Sequence, residues 1–251
     1  MREQIHTVPV NEAFDAGDEC PFCYLERKAE HSAIRYCLGP GASYMEPDVR
    51  GETDRTGFCG AHMKKMYDFG NSLGSALMMQ TWLNLYLEEM DRRMAAYEKP
   101  PKRSFFKKKA ETGASDAFVE WLKSRESTCY ICGKVDYNMD RYFATFFALV
   151  EQDEFRKKTE QSKGFCLRHF TQLMEKAPEG LPNAQRDWFY PTVFALMREN
   201  MGRVKGDLDW FIEKFDYRNA AADWRNSRDA VSRTMQKIRG IYPADPPYKD
   251  K

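Results

Sequence analysis

GFCGAH, at residues 57–62, returns in the same chain as GFCLRH at residues 164–169. Each copy lies downstream of a Cys-x-x-Cys motif, CPFC at residues 20–23 and CYIC at residues 129–132. The second cysteine of the upstream motif precedes the cysteine of the downstream motif by 36 positions in the first pair and by 34 in the second. The same two motifs at nearly the same interval indicate an internal repeat.

The four motifs contain eight residues of the types that bind metal ions through sulfur or imidazole nitrogen. They are Cys20, Cys23, Cys59, His62, Cys129, Cys132, Cys166 and His169. Two residues between ligands let one turn place both donor atoms about 2.0 to 2.3 Å from a single ion. Two such motifs complete a tetrahedral Cys3His set, which leaves no position open for catalysis. We therefore expect two structural Zn2+ ions per chain, in preference to an iron–sulfur cluster, redox dithiols or metal-free buried cysteines.

The pairing of the motifs is open at this point. Each site could be built within one repeat, so that Cys20 and Cys23 join Cys59 and His62. Alternatively, the first Cys-x-x-Cys could join the second Cys-x-x-His. Closing the shorter loop costs less chain entropy, although this cost grows only slowly with length, so pairing within each repeat is favoured.

The residues before each downstream cysteine also repeat. Gly57 and Gly164 allow backbone angles that other residues rarely adopt, as a tight metal-binding turn requires. Phe58 and Phe165 are expected to pack beside the metal and keep water away from it.

Helical periodicity dominates the rest of the chain. Apolar residues recur every three or four positions in residues 129–152, and a second long helix is expected at 184–215 after a loop at 177–183. A break is expected near residues 70–74, and a last helix at 219–240. No segment alternates as a strand would. The predicted fold is all-α, with two repeated helical modules, each held by a Cys3His metal site, and a C-terminal helix.

These patterns divide the chain into a first module at residues 1–98, a linker at 99–115, a second module at 116–219 and a C-terminal helix and tail at 220–251. The linker is strongly basic, and its cations could bind nucleic acid or an anionic membrane. The candidate anion-binding residues are Lys102, Arg103, Lys107, Lys108 and Lys109. A solvated linker without a ligand is the preferred interpretation.

Composition excludes some other classes. With 39 Lys and Arg against 38 Asp and Glu, no overall charge draws the chain to nucleic acid or membrane. The N-terminus lacks the apolar segment of a signal peptide and no stretch is long enough to span a membrane, so a cytoplasmic location is expected. In that reducing compartment cysteines favour metal binding over disulfides. Catalytic motifs are absent from the sequence, and Cys37, outside the repeat, is interpreted as a buried thiol rather than a nucleophile.

Two aromatic stretches could line a ligand pocket between the modules, although core packing is the default interpretation. Trp82, Tyr86, Trp188 and Tyr190 are the candidate pocket residues, because each combines a large apolar ring with a polar group.

Together, CPFC…GFCGAH, CYIC…GFCLRH and EKFDYR at residues 213–218 resemble an uncharacterised family of anaerobic Gram-positive bacteria, known as a domain of unknown function. The resemblance implies a bacterial cytoplasmic protein with no assigned activity. We expect a zinc-stabilised scaffold that binds a protein or a small ligand between its modules. The alternatives are a metal- or thiol-dependent redox protein and a nucleic-acid-binding protein.

Overall fold

The structure is a computed structural model that describes residues 6–98 and 113–241. These residues form eleven α-helices and contain no strand, which confirms the all-α prediction. The helices are α1 (Thr7–Asp15), α2 (Pro21–Leu38), α3 (Pro47–Thr56), α4 (Gly60–Phe69), α5 (Ser72–Ala95), α6 (Gly113–Ser127), α7 (Tyr130–Leu149), α8 (Asp153–Gln161), α9 (Leu167–Gly180), α10 (Arg186–Glu213) and α11 (Ala230–Arg239).

The sequence repeat is also a repeat of helices. A Cys-x-x-Cys motif opens α2 and α7, and a Gly-Phe-Cys turn leads into α4 and α9. One further helix lies between these two in each copy, α3 in the first and α8 in the second, and a long helix follows, α5 or α10. One helix also precedes the Cys-x-x-Cys motif of each copy, α1 or α6, so among the described helices only α11 stands outside this order. Each copy therefore has the same order of helices around its metal-binding motifs.

The helices pack into two compact units, and neither is a continuous half of the chain. Within the described residues, unit 1 comprises residues 6–29 and 136–241, and unit 2 comprises residues 30–98 and 113–135. The boundaries fall inside α2 and α7, so each of these helices contributes residues to both units. Each unit is described separately below.

Unit 1 has a core of phenylalanines. Phe22 of α2 stacks on Phe143 of α7 with ring centroids 4.2 Å apart, and Phe165 lies 5.7 Å from Phe22. Phe14 of α1 stacks on Phe146 at 5.7 Å. Sequence patterns did not predict α1, yet it buries Phe14 in this cluster. Such ring pairs contribute about 1 kcal/mol each beyond the area they bury.

Unit 2 has a smaller aliphatic core. Ile34 of α2, Met66 of α4 and Met78 of α5 are fully buried in it. The break predicted near residues 70–74 is confirmed, because α4 ends at Phe69 and α5 begins at Ser72. Asn71 accepts a hydrogen bond from the Gly74 amide and so caps the N-terminus of α5.

Two predicted helix limits are wrong. The last helix begins at Ala230 and not near residue 219. The main-chain carbonyls that would start the earlier helix accept hydrogen bonds from a lysine side chain instead of from helix amides. The Lys214 ammonium donates hydrogen bonds to the carbonyls of Asn219, Ala220 and Ala222 at 2.6, 2.9 and 2.6 Å. The loop predicted at residues 177–183 starts later, because α9 continues through Pro178 as far as Gly180.

A buried ion cluster fastens α11 within unit 1. Lys237 is 1% exposed, lies 3.5 Å from the Glu19 carboxylate and donates hydrogen bonds to the main-chain carbonyls of Glu19 and Lys163. Arg203 and Arg233 also pair with Glu19, which is 4% exposed. Burial lowers the pKa of Lys237, which the neighbouring Glu19 charge only partly offsets. Because Cys20 follows Glu19, the cluster also anchors the first metal-binding motif.

We predict that Lys237→Ala destabilises the protein by about 3 kcal/mol, because it leaves Glu19 buried with one counter-charge fewer. Chemical denaturation followed by circular dichroism measures the loss. The matched control is Lys205→Ala, which removes an exposed ion pair with Asp209 and should cost less than about 1 kcal/mol. Equal effects of the two substitutions would contradict the anchoring role of Lys237.

Candidate metal centres

The structure brings the eight predicted ligand residues together in two groups of four. In each group the four donor atoms all lie within 4.8 Å of one another, so each group could hold a metal ion. The groups are site A in unit 1, formed by Cys20, Cys23, Cys166 and His169, and site B in unit 2, formed by Cys59, His62, Cys129 and Cys132.

The favoured pairing within each repeat is wrong. Each site takes Cys-x-x-Cys from one repeat and Cys-x-x-His from the other. Cys23 and Cys166 of site A are 143 positions apart, about four times the 36 positions of the local alternative. Two doublings of loop length cost only about 1.2 kcal/mol, an amount that helix packing readily outweighs.

Site A has the spacing of a tetrahedral metal site. The sulfurs of Cys20, Cys23 and Cys166 lie 3.5, 3.4 and 3.3 Å from Nδ1 of His169. The sulfurs of Cys23 and Cys166 are 3.6 Å apart. Metal–sulfur and metal–nitrogen bonds of about 2.3 and 2.0 Å at tetrahedral angles place sulfur about 3.5 Å from nitrogen and about 3.8 Å from a second sulfur. One ion therefore fits among these four atoms.

Site B has the same geometry. The sulfurs of Cys59, Cys129 and Cys132 lie 3.2, 3.3 and 3.4 Å from Nδ1 of His62. The sulfurs of Cys59 and Cys132 are 4.0 Å apart. The main chain also joins the two segments of this site, because the Tyr130 amide donates to the Gly57 carbonyl at 2.9 Å.

The first candidate ligand of each motif is a cysteine that lies at a helix N-terminus. The carbonyls of Cys20, Cys59, Cys129 and Cys166 each accept a hydrogen bond from the amide four residues later, as the residue before a helix does. Their thiols therefore lie near the positive end of a helix dipole, which stabilises thiolates. Each motif thus folds locally into a metal-binding turn.

The glycine of each Gly-Phe-Cys turn has the predicted unusual backbone. Gly57 has φ +64° and Gly164 has φ +69°, a region that other residues rarely adopt. A Cβ atom on Gly57 would lie 2.6 Å from Nε1 of Trp82, which is too close for two non-bonded atoms. A residue with a side chain therefore does not fit at this position. Phe58 and Phe165 are both buried, as expected of side chains that keep water from a metal site.

Both ligand histidines have an acidic neighbour at the ring nitrogen that faces away from the site. Nε2 of His62 lies 2.9 Å from a carboxylate oxygen of Glu30, which is also bonded to Lys65 at 2.5 Å. A carboxylate at this nitrogen keeps the proton on Nε2 and leaves the Nδ1 lone pair for a metal.

Site A has a related but looser arrangement. Nε2 of His169 lies 3.7 Å from Glu26, which forms an ion pair with Arg168. Sequence reasoning missed both carboxylates. The only available signal was that Glu26 and Glu30 lie one helical turn apart in α2.

The thiols of each site compete for ionisation in the absence of a cation. In site B, burial raises the pKa of Cys129. Hydrogen bonds from His62 and from backbone amides lower the pKa by a larger amount, so that it falls below its usual value, to about 6. Burial and the neighbouring Cys129 charge raise the pKa of Cys132. Burial lowers the pKa of His62, yet its hydrogen bonds to Cys129 and Glu30 raise it to about 10. A bound divalent cation would remove this competition, since it stabilises all the thiolates together.

The two sites differ in exposure. All four ligand residues of site A are buried, and a Cβ atom on Gly240, at the end of α11, would lie 3.3 Å from the Cys166 sulfur. In site B, His62 and Cys129 are buried, but Cys59 and Cys132 are half-buried. Two ligand residues of site B are therefore partly exposed to solvent.

The candidate pocket residues belong to two different units. Trp82 and Tyr86 of unit 2 stack with ring centroids 5.0 Å apart, whereas Trp188 and Tyr190 belong to α10 in unit 1. Trp188 donates a hydrogen bond to Glu160 at 2.7 Å. Their role in a ligand pocket stays a prediction.

Two other expectations concern anion binding by the basic linker and the lack of a membrane-spanning helix. The basic residues predicted to bind anions lie outside the described residues; they are Lys102, Arg103, Lys107, Lys108 and Lys109. Among the helices in the described part of the chain, none has the length and apolar character needed to cross a membrane.

Residues 1–245 match the sequence model of a family of unknown function, DUF6062. The chain belongs to that family. This match confirms the resemblance to an uncharacterised family. No curated protein and no solved structure matches the chain.

Double substitutions test the exchange of motifs between repeats. We predict that Cys20→Ser with Cys166→Ser removes one bound metal ion per chain, because both residues belong to site A. Cys20→Ser with Cys59→Ser should remove two, because it disrupts both sites. Metal analysis of the purified variants after dialysis measures the difference. Pairing within each repeat would give the opposite result for the two variants.

A second prediction concerns Glu30. Glu30→Gln should weaken metal binding at site B by about 10- to 100-fold, because the carboxylate that orients His62 is lost. Competition with a chelator of known affinity measures this effect, and binding at site A should not change. The control is Glu52→Gln, which removes an exposed carboxylate paired with Lys134 at 3.1 Å. If the Glu30→Gln variant binds metal at site B as tightly as the Glu52→Gln control, the proposed role of Glu30 is contradicted.

Proposed function

We propose that this protein is a helical scaffold stabilised by two structural Zn2+ ions, one at site A and one at site B. The observation that carries the proposal is the tetrahedral spacing of three sulfurs and one imidazole nitrogen in each site. Four protein ligands leave no coordination position for a substrate or a reactive water. The metal therefore holds the chain together rather than acting on a ligand.

The donor atoms support zinc over the alternatives. Thiolates and imidazole together are typical ligands of tetrahedral structural zinc. An iron–sulfur cluster needs room between its cysteines for inorganic iron and sulfide, whereas donor atoms within 4.8 Å of one another enclose a single ion. A reducing compartment such as the cytoplasm would keep these thiols available for the metal.

Zinc at these positions contributes directly to folding. Each site joins chain segments that are remote in sequence, so the unfolded chain has no preformed binding site and metal binding is coupled to folding. The binding free energy is about 10 kcal/mol for structural zinc in small domains, comparable with the entire stability of a typical domain. Loss of one ion should therefore unfold much of the unit that contains it.

The scaffold presents apolar side chains that favour a binding role. Ile212, Phe215 and Tyr217 are 63%, 74% and 86% exposed at the end of α10. The segment that follows is held by the hydrogen bonds of Lys214 described above. Exposed apolar patches often mark binding surfaces. A protein or small ligand is the proposed partner, and Trp82, Tyr86, Trp188 and Tyr190 stay candidates for its contacts.

The redox alternative receives no support from Cys37. This thiol is fully buried, and burial raises its pKa to about 12, so it stays protonated and unreactive at neutral pH. The nucleic-acid alternative depends on the basic linker and stays a separate hypothesis.

Metal analysis of protein purified without added metal tests the zinc proposal. We predict two zinc ions per chain and no visible absorption, and removal of zinc by a chelator should abolish cooperative thermal unfolding. Cys37→Ser serves as the control and should keep both ions and full stability apart from the small cost of a buried substitution. Visible absorption from iron, fewer than two metal ions per chain, or an unchanged melting transition after metal removal would contradict the proposal.

A further inference from the structure

We propose that site B is an oxidation-sensitive zinc site, in which a hydroperoxide joins Cys59 and Cys132 by a disulfide and releases the metal. This inference rests on the proposed zinc scaffold and adds a reaction to it. Site A, with the same donor set, is the protected counterpart.

Exposure distinguishes the two sites. The sulfur ligands of site A are fully buried, since Cys20, Cys23 and Cys166 are each 0% exposed. In site B, Cys59 and Cys132 are both half-buried, and solvent reaches them. Oxidation of a thiolate requires contact with the oxidant, so accessible thiolates react first.

Exposure and spacing together select one pair of sulfurs. The sulfurs of Cys59 and Cys132 are 4.0 Å apart, and a disulfide requires about 2.05 Å. The two residues lie at the starts of different helices, α4 and α7, and rotation of their side chains brings the sulfurs together as the disulfide forms. The third sulfur, that of Cys129, is buried and less accessible to an oxidant.

The reaction balances with a hydroperoxide as oxidant. The thiolate of one accessible cysteine attacks the terminal peroxide oxygen, the O–O bond breaks, and a sulfenic acid and an alkoxide form. The second thiolate attacks the sulfenic sulfur, forms the S–S bond and expels hydroxide. Two protons convert the alkoxide and hydroxide to an alcohol and water; with hydrogen peroxide both products are water. The two thiolates lose two electrons, and the peroxide gains them.

Disulfide formation removes two of the four zinc ligands. His62 and Cys129 remain, and two ligands cannot complete the tetrahedral shell that makes structural zinc sites tight. The ion therefore leaves, and the part of unit 2 that it holds loosens. Cellular thiols can reduce an exposed disulfide, so zinc binding can be restored.

The test uses the full wild-type chain with its native metal. Zinc content is measured first, and hydrogen peroxide is then added while a chromogenic chelator records released zinc. Free thiols are alkylated at intervals, and mass spectrometry identifies the disulfide-linked peptides. We expect one zinc ion per chain to leave about tenfold faster than the other, because exposure controls thiolate oxidation. The first disulfide should link Cys59 to Cys132, and a reducing agent should restore zinc binding.

Three outcomes would overturn the inference: equal rates of release from both sites, a first disulfide that contains a site A cysteine, or oxidation of Cys59 and Cys132 without zinc loss. A starting content below two zinc ions would instead contradict the proposed scaffold itself. The Cys37→Ser variant should give the same release curve as wild type. A slower curve would show that Cys37 takes part in the reaction and would overturn the assignment to Cys59 and Cys132.

Discussion

The structure depends on the convergence of four donor atoms from two distant parts of the chain at each metal-binding group. Cys23 and Cys166 meet across 143 positions, and Cys59 and Cys132 across 73. A tetrahedral ion bound at either group would require all four donors within a few ångströms and would therefore restrain the helices that carry them. Because each group exchanges motifs between the repeats, neither repeat can complete a site without the other.

This exchange explains why both compact units are discontinuous in sequence. α2 carries the Cys-x-x-Cys of site A at its start, and its later residues belong to unit 2. The same helix supplies Glu26 beside His169 and Glu30 beside His62. One helix therefore places a carboxylate beside the ligand histidine of each site.

Features that depend only on neighbouring residues, such as ligand spacing and glycine conformation, could be predicted from the sequence. The spacing of two residues between candidate ligands picked out the eight residues that the structure gathers into two groups, and the glycines at the Gly-Phe-Cys turns have the expected positive φ. The pairing could not be predicted, because the entropy difference between the alternatives is only about 1 kcal/mol and is smaller than the packing energy of a phenylalanine core. Glu30 could not be singled out either, since acidic residues are common on exposed helix faces. The late start of α11 depends on carbonyls held by Lys214, which helical periodicity does not reveal.

The two sites share one set of ligand types but differ in how deeply their ligand residues are buried. Site A lies beside the buried ion cluster that contains Glu19 and Lys237, and the end of α11 covers Cys166. In the described chain, α11 follows the second repeat and stands outside the repeated order, so this added helix makes site A the closed member of the pair. In site B, Cys59 and Cys132 are partly exposed. This unequal burial is the observation on which the proposed oxidation of site B depends, because an oxidant must reach a thiolate before it can react with it.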